Sequence, residues 1–107
     1  MNPEPGEVRL ADLGLAAKTR PVVIVSRRDP SPPRQLVLYV PFTTQRRFSS
    51  YEVPLPALAF LDRESVANVQ GLGSLASVRL QRRLGKIPGH VLDQIKTALN
   101  FALDLDS

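Results

Sequence analysis

The sequence predicts an α+β, mainly-β fold: a strongly curved antiparallel sheet or small barrel of short strands, followed by one C-terminal helix. Three observations predict it. Two apolar runs rich in β-branched residues, Pro21-Val22-Val23-Ile24-Val25 and Leu36-Val37-Leu38-Tyr39-Val40, read as strands buried on both faces. No helical periodicity intervenes between the strands, which excludes a parallel crossover sheet. After Pro88 the apolar residues change to helical spacing.

Taken in order, residues 1–6 hold two prolines and a glycine and read as an extended lead-in. Val8, Leu10 and Leu13 alternate as a first strand that Gly14 ends, and residues 15–19 form a short loop. Residues 20–26 are the central strand, with Pro21 admissible at its start. The three prolines of 27–34 impose a turn or exposed loop, and residues 35–42 return as the second buried strand. Residues 43–50 are a polar, basic loop. Pro54 marks 51–55 as an edge strand, and 65–70 reads as a further strand ended by Gly71-Leu72-Gly73.

Residues 77–84 read as one or two helical turns stopped by Gly85 in the C′ position. Pro88 suits the first turn of a helix over 88–104. Val91, Leu92, Ile95, Ala98, Leu99, Ala102 and Leu103 line one face of it. That face closes the open end of the barrel, makes a dimer contact, or does both.

With 107 residues, the chain is expected to be a single domain, since a second independent core would need a comparable length. Hydrophobic residues at 43% and charged residues at 22% are globular values, so the chain folds. The net charge of +4 resides largely in arginine doublets at 27-28, 46-47 and 82-83, which suit a polyanion or a solvated surface. Six aromatic residues, none of them Trp, are too few for a broad base-stacking platform. Without cysteine there is neither a disulfide nor a thiolate zinc site. The start lacks a signal-peptide pattern and no apolar run is long enough to span a bilayer, so a soluble, unexported protein with no membrane partner is expected.

Most catalytic constellations are missing from the sequence. His90 is the single histidine, without a second ligand beside it, and fits a surface or capping role. No nucleophile-elbow sequence occurs, and Gly71-x-Gly73 does not extend to a phosphate-binding fingerprint, so no metal and no cofactor is expected. Two polar clusters remain at the ends of the buried strands, Lys18-Thr19-Arg20-Pro21 and Thr43-Thr44-Gln45-Arg46-Arg47. If those strands pair antiparallel, Arg20 and Thr43 become neighbours. A guanidinium beside a hydroxyl can hold the non-bridging oxygens of a phosphodiester; the alternative is that Arg20 pairs with a carboxylate at the strand end.

In order and spacing, the following segments resemble the MazF/PemK toxin family over roughly residues 6–105: Gly6-Glu7-Val8, Lys18-Thr19-Arg20-Pro21-Val22-Val23-Ile24-Val25-Ser26, Pro41-Phe42-Thr43-Thr44, Ser65-Val66, Arg79-Leu80 and Leu84-Gly85-Lys86-Ile87 before a terminal helix. The Lys-Thr-Arg-Pro-Val strand entry and the Pro-x-Thr segment are its specific part. The resemblance implies an SH3-like barrel of about five to seven strands with a short helix and a C-terminal α-helix. It implies a homodimeric, cytoplasmic, prokaryotic toxin that cuts single-stranded RNA or mRNA without a metal, leaves a 2′,3′-cyclic phosphate, and is restrained by a cognate antitoxin with an acidic and apolar tail.

By the same resemblance Arg20 and Thr43 are the catalytic residues, and Lys18, Thr19, Thr44, Gln45, Arg46 and Arg47 line the RNA path. Glu52 is a candidate base. The first inter-strand loop is shorter than in many members. Asn68, Gln70 and Gly73-Ser74 stand where relatives carry charged or Arg-Thr pairs, which bears on the cut-site sequence. Two other readings fit the same fold: a non-catalytic toxin that binds through its terminal helix, and an SH3-like module that binds RNA or peptide.

Overall fold

The computed structural model describes residues 3–14 and 19–105. The strands are β1 Glu7–Ala11, β2 Arg20–Ile24, β3 Leu36–Thr43, β4 Glu52–Pro54, β5 Val66–Asn68, β6 Gly73–Ala76 and β7 Leu80–Lys86, and the helix α1 is Gly89–Ala102. They form one seven-stranded antiparallel sheet in the order β4-β5-β3-β2-β1-β7, with β6 also against β3. The path does not close, because β4 and β7 are not hydrogen-bonded to each other. The expected barrel is therefore an open sheet with the small-barrel strand content. Among the described residues no helix is long and apolar enough to cross a membrane.

β2 is central for the reason its composition suggests. Val22, Val23 and Ile24 are all fully buried, but into different clusters. Val23 joins Val8, Val40 and Phe42 on the face covered by α1, while Val22 and Ile24 join Ala11, Val37 and Leu75 on the other face. A strand flanked by apolar groups on both sides has no polar position to alternate with, hence its continuous hydrophobic run.

β3 departs from that pattern. Leu36 is 47% and Leu38 45% exposed, so only Val40 and Phe42 on that side reach the core. Its first half outruns the apolar face that α1 covers, and there it behaves as a half-buried strand. The strand is long enough to take two partners along one edge, β6 against residues 36–39 and β5 against Phe42 and Thr43.

Two further expectations are corrected. The strand read over 65–70 ends at Asn68; a 3-10 turn at Val69–Gly71 follows, and Gly73 opens β6 rather than ending the strand region. A Cβ at Gly73 would lie 2.6 Å from Tyr39 Oη, so glycine permits this close pairing with β3. Residues 77–84 are not a helix. Only Ser77–Arg79 forms a 3-10 turn, and Leu80–Lys86 is β7.

The reason is tertiary. Leu, Gln and Arg favour helix weakly, by tenths of a kcal/mol per residue, and pairing with β1 outweighs them: Ala11 faces Leu80, Arg9 faces Arg83 and Val8 faces Gly85. Arg9, buried, donates from Nε to the Gln81 carbonyl at 2.9 Å and pairs through Nη1 with Glu7 Oε2 at 2.8 Å. Arg83 Nε approaches the other Glu7 oxygen at 3.6 Å, so the two strands share a charged seam as well as a ladder.

The lead-in also does more than expected. Gly6, at φ 93°, donates its amide to the Ile24 carbonyl at 2.8 Å and accepts from Ile87 at 3.0 Å, joining the end of β2 to the start of the helical segment. α1 then lays Val91, Ile95 and Ala98 into the main core. Burying side chains such as Val91 and Ile95 contributes on the order of 1.5–3 kcal/mol each. That settles the main use of the helical apolar face: it caps the sheet.

Candidate functional site

β1 sets the position of β2, with Leu10 opposite Pro21 and Ala11 opposite Arg20. On its other side β2 pairs with β3, Val22 facing Pro41 and Val23 facing Val40. Continued by two residues, that register puts Arg20 opposite Thr43. Thr43 in turn faces Val66 of β5. The expected juxtaposition of Arg20 and Thr43 is thus a consequence of strand pairing.

Both residues line a cleft of about 660 Å³, together with Thr44, Gln45, Arg63 and Arg82. Its apolar lining includes Leu10, Pro21, Phe42 and Leu84. Other concavities among the described residues, such as those of about 180 Å³ at residues 26–37 and about 350 Å³ between β4 and α1, lack this concentration of arginine.

Arg20 is exposed and, among the described residues, makes no ion pair. The alternative of a strand-end pair with a carboxylate is therefore not what the structure contains. Thr43 Oγ1 accepts the amide proton of Gln45 at 3.1 Å, the turn that redirects the chain out of β3. That contact occupies a lone pair and leaves the hydroxyl hydrogen available to a ligand oxygen.

The basic loop after β3 is arranged differently from expectation. Arg46 stacks over the Phe48 ring, its guanidinium carbon 4.4 Å from the centroid. Phe48 is 79% exposed and has φ 57°, a backbone region uncommon for a non-glycine residue. The amides of Arg47 and Ser49 donate to the Glu52 carboxylate at 3.0–3.1 Å. The Ser49 amide is the main cause holding the Glu52 carboxyl below its ordinary value; desolvation, next in size, opposes it, and the amides of Arg47 and Phe48 and the charge of Arg46 lower it further.

Arg46 and Arg47 do not line the cleft, nor does Thr19, which is exposed beside Arg20. Lys18 lies outside the described residues. Glu52 is likewise directed to its own loop and to the β4–α1 groove, so the candidate base is a loop anchor. His90 is exposed in the first turn of α1, as expected.

Sequence reasoning missed Arg63 and Arg82, and Asp62 and Ser65 beside them in the lining. Arg82 was hidden by the helical reading of its segment; in β7 it lines the cleft together with Leu84, while its neighbour Arg83 pairs with Glu7. Arg63 sits in the connection between β4 and β5, where no period exists to reveal it. Of the departures noted from the sequence, Asn68 has a local use: its Oδ1 accepts the Gln70 amide at 3.2 Å and caps the 3-10 turn.

Comparison with known proteins places this geometry. Residues 4–103 match the sequence model of the PemK-like, MazF-like toxins of type II toxin-antitoxin systems, and the chain belongs to that family. It is 34% identical over 106 residues to the Mycobacterium tuberculosis protein named "Probable endoribonuclease MazF5", an alignment that takes in 95% of this chain and 94% of that one.

Among solved structures it superposes on a mycobacterial endoribonuclease in complex with its cognate antitoxin, with a TM-score of 0.84, 28% identity and 98% of each chain covered. It also superposes on the Mycobacterium tuberculosis toxin MazF-mt6, with a TM-score of 0.82 and 29% identity over 94% of this chain and 99% of that one. The first of these relatives was captured with an antitoxin bound.

Proposed function

We propose that this toxin is an endoribonuclease that cuts single-stranded RNA, mRNA included, through attack by the substrate's own 2′-hydroxyl, and that Arg20 and Thr43 are its catalytic residues. The observation that carries the reading is one cleft lined by both Arg20, which makes no ion pair among the described residues, and Thr43, whose hydroxyl accepts the Gln45 amide and still has a proton to donate. The names of the relatives agree with it.

In the reaction the 2′-oxygen bonds to phosphorus and the bond from phosphorus to the 5′-oxygen breaks. The 2′-hydroxyl loses its proton to solvent, the leaving 5′-oxygen gains one, and the products are a 2′,3′-cyclic phosphate and a 5′-hydroxyl. The nucleophile is already tethered beside the phosphorus, so the protein has to orient the strand and stabilise charge. Negative charge on the non-bridging oxygens grows from one to two in the phosphorane-like transition state. A bidentate guanidinium and a hydroxyl donor therefore bind that state better than the ground state. A guanidinium keeps its proton at neutral pH, so the role of Arg20 is charge stabilisation. The positive charge is supplied by side chains, which makes the proposed reaction metal-independent.

Thr44 and Gln45 line the RNA path next to Thr43, and in this reading Lys18, Thr19, Arg46 and Arg47 also contact the RNA. The same reading makes residues 1–107 one toxin domain acting in the prokaryotic cytoplasm as a homodimer. Its antitoxin presents an acidic and apolar tail that covers the cleft and neutralises its arginines. A non-catalytic toxin acting through α1 has less support, because Val91, Ile95 and Ala98 are buried in the core.

The test is incubation with a long single-stranded RNA in excess EDTA, wild type beside Arg20→Ala. Discrete cuts that vanish in the folded variant support the proposal. RNA left intact by both proteins, or cut equally by both, refutes it.

A further inference from the structure

Among the described residues, five basic side chains are in ion pairs, and of those that are not, three meet in one cleft. Arg9, Arg28, Arg79, Arg83 and Lys86 each lie within 4.0 Å of a carboxylate. Arg20, Arg63 and Arg82 do not, although all three line one cleft and Asp62 lines it with them. The contrast is sharpest between neighbours: Arg83 joins the Glu7–Arg9 seam, while Arg82 extends to the other side, among Leu10 and Leu84. Three like charges around one concavity repel one another, and among the described residues of its lining Asp62 supplies a single negative charge against them, within 4.0 Å of none of the three. An anion with more than one charge would offset them.

The sheet spaces these charges. Thr43 is on β3, Arg20 on β2, and Arg82 on β7, with β1 between β2 and β7. At about 4.8 Å per strand, Arg20 and Thr43 root one spacing apart, which suits a single phosphate. Arg82 roots two spacings from Arg20 and three from Thr43, on the order of 10 and 14 Å along the sheet. That separation suits the next phosphate of a chain rather than a shared one.

Arg63 is brought in by a different device. The connection between β4 and β5 crosses to β7, where Phe60 packs so closely on Gly85 that a Cβ there would lie 2.4 Å from its ring. The contact fixes the segment three residues before Arg63 against the strand that carries Arg82.

We propose that Arg82 and Arg63 form a second phosphate subsite, which binds the phosphodiester adjacent to the one held by Arg20 and Thr43, so that the cleft reads at least two successive phosphates of a single strand. The naming of one phosphate as scissile rests on the ribonuclease reading. The existence of two subsites does not.

The test uses an all-2′-deoxy pentanucleotide, which has no 2′-hydroxyl to react, and versions of it in which one linkage at a time is a neutral methylphosphonate. Binding is read by fluorescence anisotropy for wild type, Arg20→Ala, Arg82→Gln, Arg63→Gln and Arg82→Lys. Neutralising either of two adjacent linkages weakens wild-type binding by about tenfold, the scale of a charge-assisted hydrogen bond. Arg82→Gln loses sensitivity at one of them and keeps it at the other; Arg20→Ala does the reverse. Arg63→Gln follows Arg82→Gln, and Arg82→Lys restores the sensitivity in part. The salt slope of Arg82→Gln falls by about 0.7.

If Arg82→Gln and Arg20→Ala lose the same linkage, or Arg82→Gln loses none, the second subsite does not exist. Two separable linkages on the deoxy strand, together with a ribose strand that is never cut, would uphold the subsite and remove the nuclease.

Discussion

Phe60 lies directly on the backbone of Gly85, in the space that a Cβ at residue 85 would occupy. The contact joins the β4–β5 connection to β7 where no ladder joins β4 to β7, and it does so by packing an aromatic ring on a bare peptide.

Replacing Gly85 by Ala therefore has to move the ring or the strand. An overpacking cost of about 1–3 kcal/mol is expected, read as a lowered midpoint in urea or heat unfolding. Since Phe60 leads into Arg63, the variant also binds oligonucleotide more weakly than its loss of stability explains. A Gly85→Ala protein with wild-type stability would mean that the ring is not confined there.

Thr43 is expected to act through its hydroxyl. Thr43→Val keeps the shape but removes both the acceptor for the Gln45 amide and the donor into the cleft, and cleavage should fall by about 10²–10³, as for a lost oxyanion donor. Thr43→Ser keeps the oxygen and should retain most of the activity. Activity kept in Thr43→Val and lost in Thr43→Ser would point to packing of the methyl group rather than to the hydroxyl.

Glu52 should matter for the loop and not for the chemistry. Its folded pKa lies below the ordinary 4.5, chiefly through the Ser49 amide. A depressed carboxyl contributes stability that is fully present above its unfolded pKa and is lost as pH falls through the folded one. Wild type should therefore lose stability below about pH 4.5 more steeply than Glu52→Gln does, in unfolding curves taken across that range. At neutral pH Glu52→Gln should still cut RNA. Abolished cleavage in a folded variant would restore the carboxylate as the base.

The sequence made some parts of this molecule legible for physical reasons. β2 could be read because both of its faces are covered, and the juxtaposition of Arg20 with Thr43 followed from antiparallel pairing of two recognisable strands. α1 could be read from the spacing of Val91, Ile95 and Ala98. β7 could not: its arginines and leucines satisfy a helical reading locally, and the ladder with β1, with the seam to Glu7 and Arg9, makes it a strand. Arg82 was lost with it. Arg63 carries no local signal at all, because its position depends on Phe60 meeting Gly85, twenty-five residues apart in sequence. The Arg46-Arg47 doublet was assigned to the RNA path by resemblance; in the structure Arg46 stacks on Phe48 and the Arg47 amide anchors to Glu52.

The central claim is that the substrate supplies its own nucleophile to a phosphate held by Arg20 and Thr43. It is tested most directly with a short strand cut by the wild-type protein, compared with the same strand carrying a single 2′-deoxy sugar on the 5′ side of the cut. The account predicts that binding persists, that cleavage at that linkage vanishes, and that the all-ribose strand ends in a 2′,3′-cyclic phosphate. Cleavage of the deoxy linkage, or a 3′-hydroxyl end, would show that water or a protein group attacks phosphorus and would contradict it.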